Sequence, residues 1–251
     1  MTSVEERIGK ELIPRQEFEE FLNDYCWKNH PHANSRFAKM LLNGELTFED
    51  LKGFAKEFEH FLRFAPSHFF TMAANCPPDV IPDEKDPRRN FGVNLADDMG
   101  LTPETAWKDH FAKFRKFCYA IGLTKEEMDN SVPSPGTTAF NWAFLSTLGT
   151  LPHPEGMVVQ TVANESVFLL GIVDVRDEAV RKHYGVEPWS PTKDEEIVHV
   201  TLPRDLVFGW ADTPAKQARV FELYKVSYAL WSMFYENMYN LTVGQRERVA
   251  A

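Results

Sequence analysis

Two long runs of apolar residues at helical spacing constrain this chain more than any other feature. In the first, Leu51, Phe54, Phe58, Phe61, Leu62, Ala65, Phe69, Met72 and Ala73 follow the i, i+3, i+4, i+7 pattern of one helix face. Thr47-Phe48-Glu49-Asp50 precedes it as a capping box with Asp as the acid, so the spacing predicts a helix over 47–75. Pro66 is expected to kink that helix, and Asn75-Cys76-Pro77-Pro78 to end it. The second stripe is Val220, Leu223, Tyr224, Ser227, Leu230, Trp231, Phe234, Met238 and Leu241. It predicts a helix over 213–241, with Thr213 as N-cap and Pro214 in the first turn. Both stripes are rich in rings, in a chain of 251 residues with 20 Phe and 13% aromatics, so a large core can form without disulfides.

Shorter helices are expected over 16–29, 33–42, 103–121, 138–149, 155–172 and 176–184, with Gly122, Gly149 and Gly185 near their C-terminal ends. Glu196–Leu202 alternates like a strand but stands alone and reads equally as helix. No repeat or Gly/Ser linker divides the chain, and the Pro-rich pieces 77–87 and 132–136 are too short to do so. The resulting expectation is an all-α bundle of seven to eight helices, a single domain over 1–251 with 1–14 as an N-terminal extension.

The net charge of −10 argues against nucleic acid or an anionic membrane as partner. Met1-Thr2-Ser3-Val4-Glu5-Glu6-Arg7 has no basic region and no apolar run, so no secretory signal is expected, and no apolar stretch reaches membrane-spanning length. Cys26, Cys76 and Cys118 are widely spaced, without a CxxC pair, which fits buried reduced thiols and a cytoplasmic protein.

No P-loop, GxGxxG, GxSxG or HExxH motif is present, leaving histidines and carboxylates on helices as the chemical groups. Such side chains pointing into a bundle are how all-α proteins build metal and cofactor sites. His30 and His32 flank Pro31 and read as solvated turn residues. His60 and His68, eight apart on the 47–75 helix, can share a face among Phe58, Phe61 and Phe64, as core histidines or as ligands. Glu165 is the most conspicuous acid, because Val162-Ala-Asn-Glu-Ser-Val-Phe-Leu-Leu170 is otherwise uncharged and a lone buried carboxylate is costly unless paired or metal-bound.

Several segments, in order, resemble one family. Gly53-Phe54, Pro66, Met72-Ala-Ala-Asn-Cys-Pro77 and Leu230-Trp231-Ser232-Met233 are similar to segments of the pyrroloquinoline-quinone synthase C family. So are Asn29-His30-Pro31, Leu42-Asn43-Gly44, Asn164-Glu165 and Lys182-His183-Tyr184-Gly185. The wider heme-oxygenase-like superfamily also holds thiaminase-II proteins and metal-dependent oxidases, among them death-domain-associating para-aminobenzoate synthases. The resemblance implies a helical bundle with a central pocket.

The oxidase branch carries the ligands acid, His, Glu and His-x3-Asp-x2-His. Matched residue by residue, the resemblance implies a metal set of Asp97, His110, Glu165, His199 and Asp205, with Glu165 and His110 nearest the chemistry. The spacing before Asp205 is x5, through an insertion containing Pro203, and Phe208 stands where the last His belongs. The implied cofactor is iron, mononuclear or dinuclear, or manganese in its place. His60, Phe61, His68, Tyr228 and Trp231 are the expected substrate pocket, with Phe58 beside them. Arg63 is either a contact for an acidic substrate or a surface ion pair. The cofactor-free quinone-synthase residues are mostly replaced, by Trp27, Ile172 and Val175, and Cys76 and Cys118 lack the thiaminase flanking pattern.

The expectation is thus an iron-dependent oxidase or oxygenase acting with O2 on a small organic metabolite, as a homodimer. The alternatives are a metal-free oxygenase, a thiaminase-II-like hydrolase, and a non-catalytic small-molecule binding protein on the same fold.

Overall fold

The computed structural model describes residues 2–76, 92, 95, 96, 98–101, 109–190 and 193–250. Among them every regular element is helical. The order is α1 (Val4–Arg7), α2 (Arg15–Asn29), α3 (Pro31–Asn34), α4 (Arg36–Asn43), α5 (Phe48–Ala74), α6 (His110–Ala120) and α7 (Lys125–Asp129). Then follow α8 (Pro135–Thr150), α9 (Glu155–Met157), a π-helical turn (Val158–Val162), α10 (Ser166–Leu169), α11 (Ile172–Tyr184), α12 (Lys193–Trp210), α13 (Pro214–Leu241) and α14 (Val243–Ala250). No described helix is long and apolar enough to cross a membrane.

The two long helices begin where their sequences place them. The Thr47 hydroxyl accepts from the Asp50 N–H at 3.1 Å, and the Asp50 carboxylate accepts from the Thr47 N–H at 2.8 Å, completing the capping box of α5. Asp50 also pairs with Arg246, tying the start of α5 to α14. Thr213 caps α13, with Pro214 in its first turn. At Pro66 the N–H that would serve the Leu62 carbonyl is missing, yet α5 continues to Ala74.

The core is a layer of rings shared by α5, α8 and α13. Phe61 meets Trp231 edge-on with centroids 4.9 Å apart, and Phe140 of α8 lies 5.7, 5.3 and 5.0 Å from Phe61, Trp231 and Phe234. Each such pair adds roughly 0.5–1.5 kcal/mol beyond the area it buries. The N-terminal stretch packs onto the same helix bundle. Ile13 is buried, and the Gln217 side chain accepts from its N–H at 2.9 Å and donates to its carbonyl at 2.8 Å.

Glu196–Leu202 lies wholly inside α12, the helical of its two readings. Other expectations change. Gly149 lies inside α8 rather than beyond it. The continuous helix expected over 155–172 is broken. At its centre the Ala163 N–H reaches back to the Val158 carbonyl at 2.8 Å, a π-type bond. The Ser227 hydroxyl donates to the Val159 carbonyl at 2.9 Å, and the Tyr224 hydroxyl to the Val162 carbonyl at 3.3 Å. Side chains of α13 thus satisfy backbone that a regular helix would have satisfied itself. Gly171, at φ 73°, then starts α11 four residues earlier than the sequence suggests. Of the helix expected over 103–121, residues 102–108 lie outside the described residues.

Removing the Thr47 cap leaves the start of α5 unsatisfied. Thr47→Ala should lower unfolding stability by about 1 kcal/mol, read from the urea midpoint at unchanged slope.

Candidate active site

Phe58, Phe61, Leu62, Ala65 and Phe69 fall on one face of α5, and that face borders a cavity of about 120 Å³. Trp231 of α13, Val173 and Arg176 of α11, Trp189, and Gln160, Asn164 and Glu165 around the π turn complete much of its wall. His32, Asp98 and His110 also line it. A second cavity of about 290 Å³ is lined by Arg63, Pro66, Met99 and Phe111. The two share Leu62, Ala65, Phe69, Asp98 and His110, so these residues stand between them.

The acid and imidazole groups gather at that boundary. Asp98 Oδ1 lies 3.4 Å from His110 Nδ1 and 3.6 Å from His199 Nδ1. These separations exceed a good hydrogen bond. Two ligand atoms each ~2.1 Å from one ion stand about 3.0–3.4 Å apart; the Asp98–His110 separation falls at the edge of that range and the Asp98–His199 separation beyond it. Glu165 is buried on the wall of the inner cavity, its N–H donating to the Thr161 carbonyl at 2.8 Å, so the π turn sets where its side chain starts. Among the described residues no group of three or more His, Cys, Asp or Glu side chains is arranged so that it could hold a metal ion. The cluster is therefore a loose arrangement of suitable donors.

The implied ligands divide. His110 and His199 each lie near Asp98, and Glu165 lines the same inner cavity as Asp98 and His110; Asp97 lies outside the described residues. Asp205 does not join them. It is exposed and ion-paired with Arg15 at 2.6 Å. Six residues turn a helix by about 240° net, so on α12 the residue six after His199 faces elsewhere. Phe208 is equally remote, packing edge-on against Phe18 of α2 at 6.1 Å.

The expected pocket residues divide as well. Phe61 and Trp231 line the cavity. The His60 ring instead meets the Ser131 hydroxyl at 3.1 Å. Tyr228 stacks on Tyr25 at 5.8 Å and meets His30 edge-on at 4.7 Å, and is not among the wall residues. His68 lies behind the wall, stacked on Phe144 at 4.7 Å. Arg63 pairs with the buried Glu59 at 2.6 Å and also borders the outer cavity.

His30 and His32, expected in solvent, are buried. His30 caps α3 through its Nδ1, which accepts from the His32 N–H at 3.2 Å, and this turns His32 onto Trp231 at 4.7 Å. Burial, helped by the Arg176 charge, pushes His30 down to about 3. Burial pushes His68 down to about 4. Burial, then His30 and Arg176, hold His32 well below the usual histidine value. Arg176 carried an overlooked signal. Starting α11 at residue 172 makes Ile172, Val173, Arg176, Ala179 and Val180 one buried face, with a single charge on it.

No family model matches the chain. It is 27% identical over 96 residues to a 4-aminobenzoate synthase of Chlamydia trachomatis, covering 38% of this chain and 37% of that protein. To the 4-aminobenzoate synthase of Chlamydia muridarum it is 26% identical over 96 residues, 38% of this chain and 36% of that protein. The matches thus span well under half the length of these curated relatives. Among solved structures, a TenA homolog from Pseudomonas syringae pv. tomato superposes with a TM-score of 0.60 at 12% identity, covering 91% of this chain and 98% of that one. A domain of unknown function with a heme oxygenase-like fold from Shewanella denitrificans gives 0.63 at 14% identity, covering 91% and 93%. The fold is heme-oxygenase-like.

A histidine held neutral by burial binds no proton where the unfolded chain does. For His68, at about 4 against an ordinary 6.5, stability should rise with pH across that interval and be lost on acidification through it. His68→Phe should flatten this loss, narrowing the gap to wild type by about 2 kcal/mol at pH 4.5 relative to pH 7 in urea unfolding.

Proposed function

We propose that this protein is an oxidase or oxygenase that uses iron, or manganese in its place, and O2 on a small organic molecule. The observation that carries the reading is the Asp98 carboxylate set between the His110 and His199 imidazoles, on the wall of a cavity that Glu165 also lines. Two carboxylates and two imidazoles are the mixed oxygen and nitrogen donors that such ions accept. The partial likeness to 4-aminobenzoate synthases supports an enzyme of this kind. Asp98, His110, Glu165 and His199 would hold the ion, which supplies O2 activation when bound.

The chain's own residues shape what can react there. Phe58, Phe61, Phe69 and Trp231 keep one side of the cavity apolar and exclude water. The Trp231 indole N–H and the Asn164 side-chain carbonyl are among the buried wall groups that have no hydrogen-bond partner among the described residues, so a donor and an acceptor face a bound molecule. The outer cavity beside Pro66 and Met99 adjoins Asp98 and His110, which suits it as the way in.

Protein purified from iron-supplemented cells should carry stoichiometric iron. Glu165→Ala and Asp98→Ala should each weaken iron binding by at least about tenfold, while Asp205→Ala keeps it. Wild-type protein that carries no iron, and shows neither an absorbance change nor O2 uptake on adding ferrous ion in air, would sink the reading.

A further inference from the structure

Arg176 is a buried cation on the wall of the inner cavity, and the protein neutralises it poorly. Its side chain is only 7% exposed. Nε and Nη2 both donate toward the same oxygen, Asp177 Oδ1, each at 3.4 Å. A matched guanidinium–carboxylate pair instead makes two bonds of roughly 2.7–2.9 Å to two oxygens. That one Asp177 oxygen also accepts from the Ser190 hydroxyl at 2.7 Å. Nη2 donates to Ser190, the Tyr235 hydroxyl feels the guanidinium charge, and Cζ lies over the Trp189 ring, 4.5 Å from its centroid. The contacts hold the group in place without supplying, among the described residues, a carboxylate that fits its fork. Burying a guanidinium on these terms is costly unless something else completes it.

The surroundings state what that is. The cavity is close in size to the ~150 Å³ apolar cavity that holds benzene. Its rings offer faces for a planar molecule, and the Trp231 N–H has no hydrogen-bond partner among the described residues. Among the described residues the wall also carries the Asp98 and Glu165 side chains, which the proposed ion would engage. His32 beside them is neutral, because burial holds it far down. We propose that Arg176 is a carboxylate anchor, so that the molecule bound in the inner cavity is a small, ring-sized carboxylate. Identifying that molecule as the substrate rests on the oxidase reading; the anion site itself does not.

Calorimetric titration with benzoate and its neutral isostere benzamide tests this, with iron content measured on the same samples. Wild-type protein should bind benzoate at least about tenfold more tightly than benzamide. Arg176→Gln should remove that preference, and Arg176→Lys, which keeps the charge but not the fork, should restore part of it. Equal affinity for the two probes in wild type, binding of neither, or a preference that survives in folded Arg176→Gln would each overturn the anchor. If the variants fail to fold, the wild-type comparison decides alone. Benzoate preference in protein that holds no iron would support the anchor while counting against the oxidase reading. Iron binding without the preference would do the reverse.

Discussion

The packing of α5 against α13 through Phe61 and Trp231 is the contact on which the rest of the molecule depends. Those two rings meet edge-on at 4.9 Å, and both belong at once to the core and to the cavity wall. Phe140 and Phe234 close the layer on one side, and His32 sits against Trp231 on the other. Because interiors pack at crystal-like density, a cavity persists only where rigid neighbours hold it open. Rings with few rotamers, on the two longest helices, provide that rigidity.

The polar groups are placed by departures from regular helix rather than by helix itself. The π turn at Val158–Val162 gives up ordinary helical bonding, and α13 compensates through Ser227 and Tyr224. In return, Gln160, Asn164 and Glu165 all reach the cavity. His30, a side chain capping a four-residue helix, turns His32 inward in the same way. Chemistry is thus concentrated where the backbone is irregular and is paid for by hydrogen bonds from a regular neighbour.

Much of this was legible in residue order. The apolar stripes, the Thr47–Asp50 box and the Thr213-Pro214 start are local patterns, and they appear in the structure as read. Glu165 stood out because a charge in an uncharged run needs a reason to be buried. Asp205 was misplaced because matching by order ignores helical phase; its position on α12 turns it toward Arg15. His32 and Arg176 were missed because their burial depends on where α3 and α11 begin, and the left-handed Gly171 decides the latter.

The sequence by itself determined that this chain is helical, which faces of its two longest helices turn inward, and that an acid at position 165 sits among apolar residues. Periodicity and caps act over a few residues, so they can be read without knowing the neighbours. Only the tertiary structure decided that Asp98 meets His110 and His199, that Asp205 stays outside, and that a guanidinium lies buried beside Trp189. Those outcomes turn on the relative rotation of helices far apart in the chain, which ring packing across the bundle sets and no local pattern encodes.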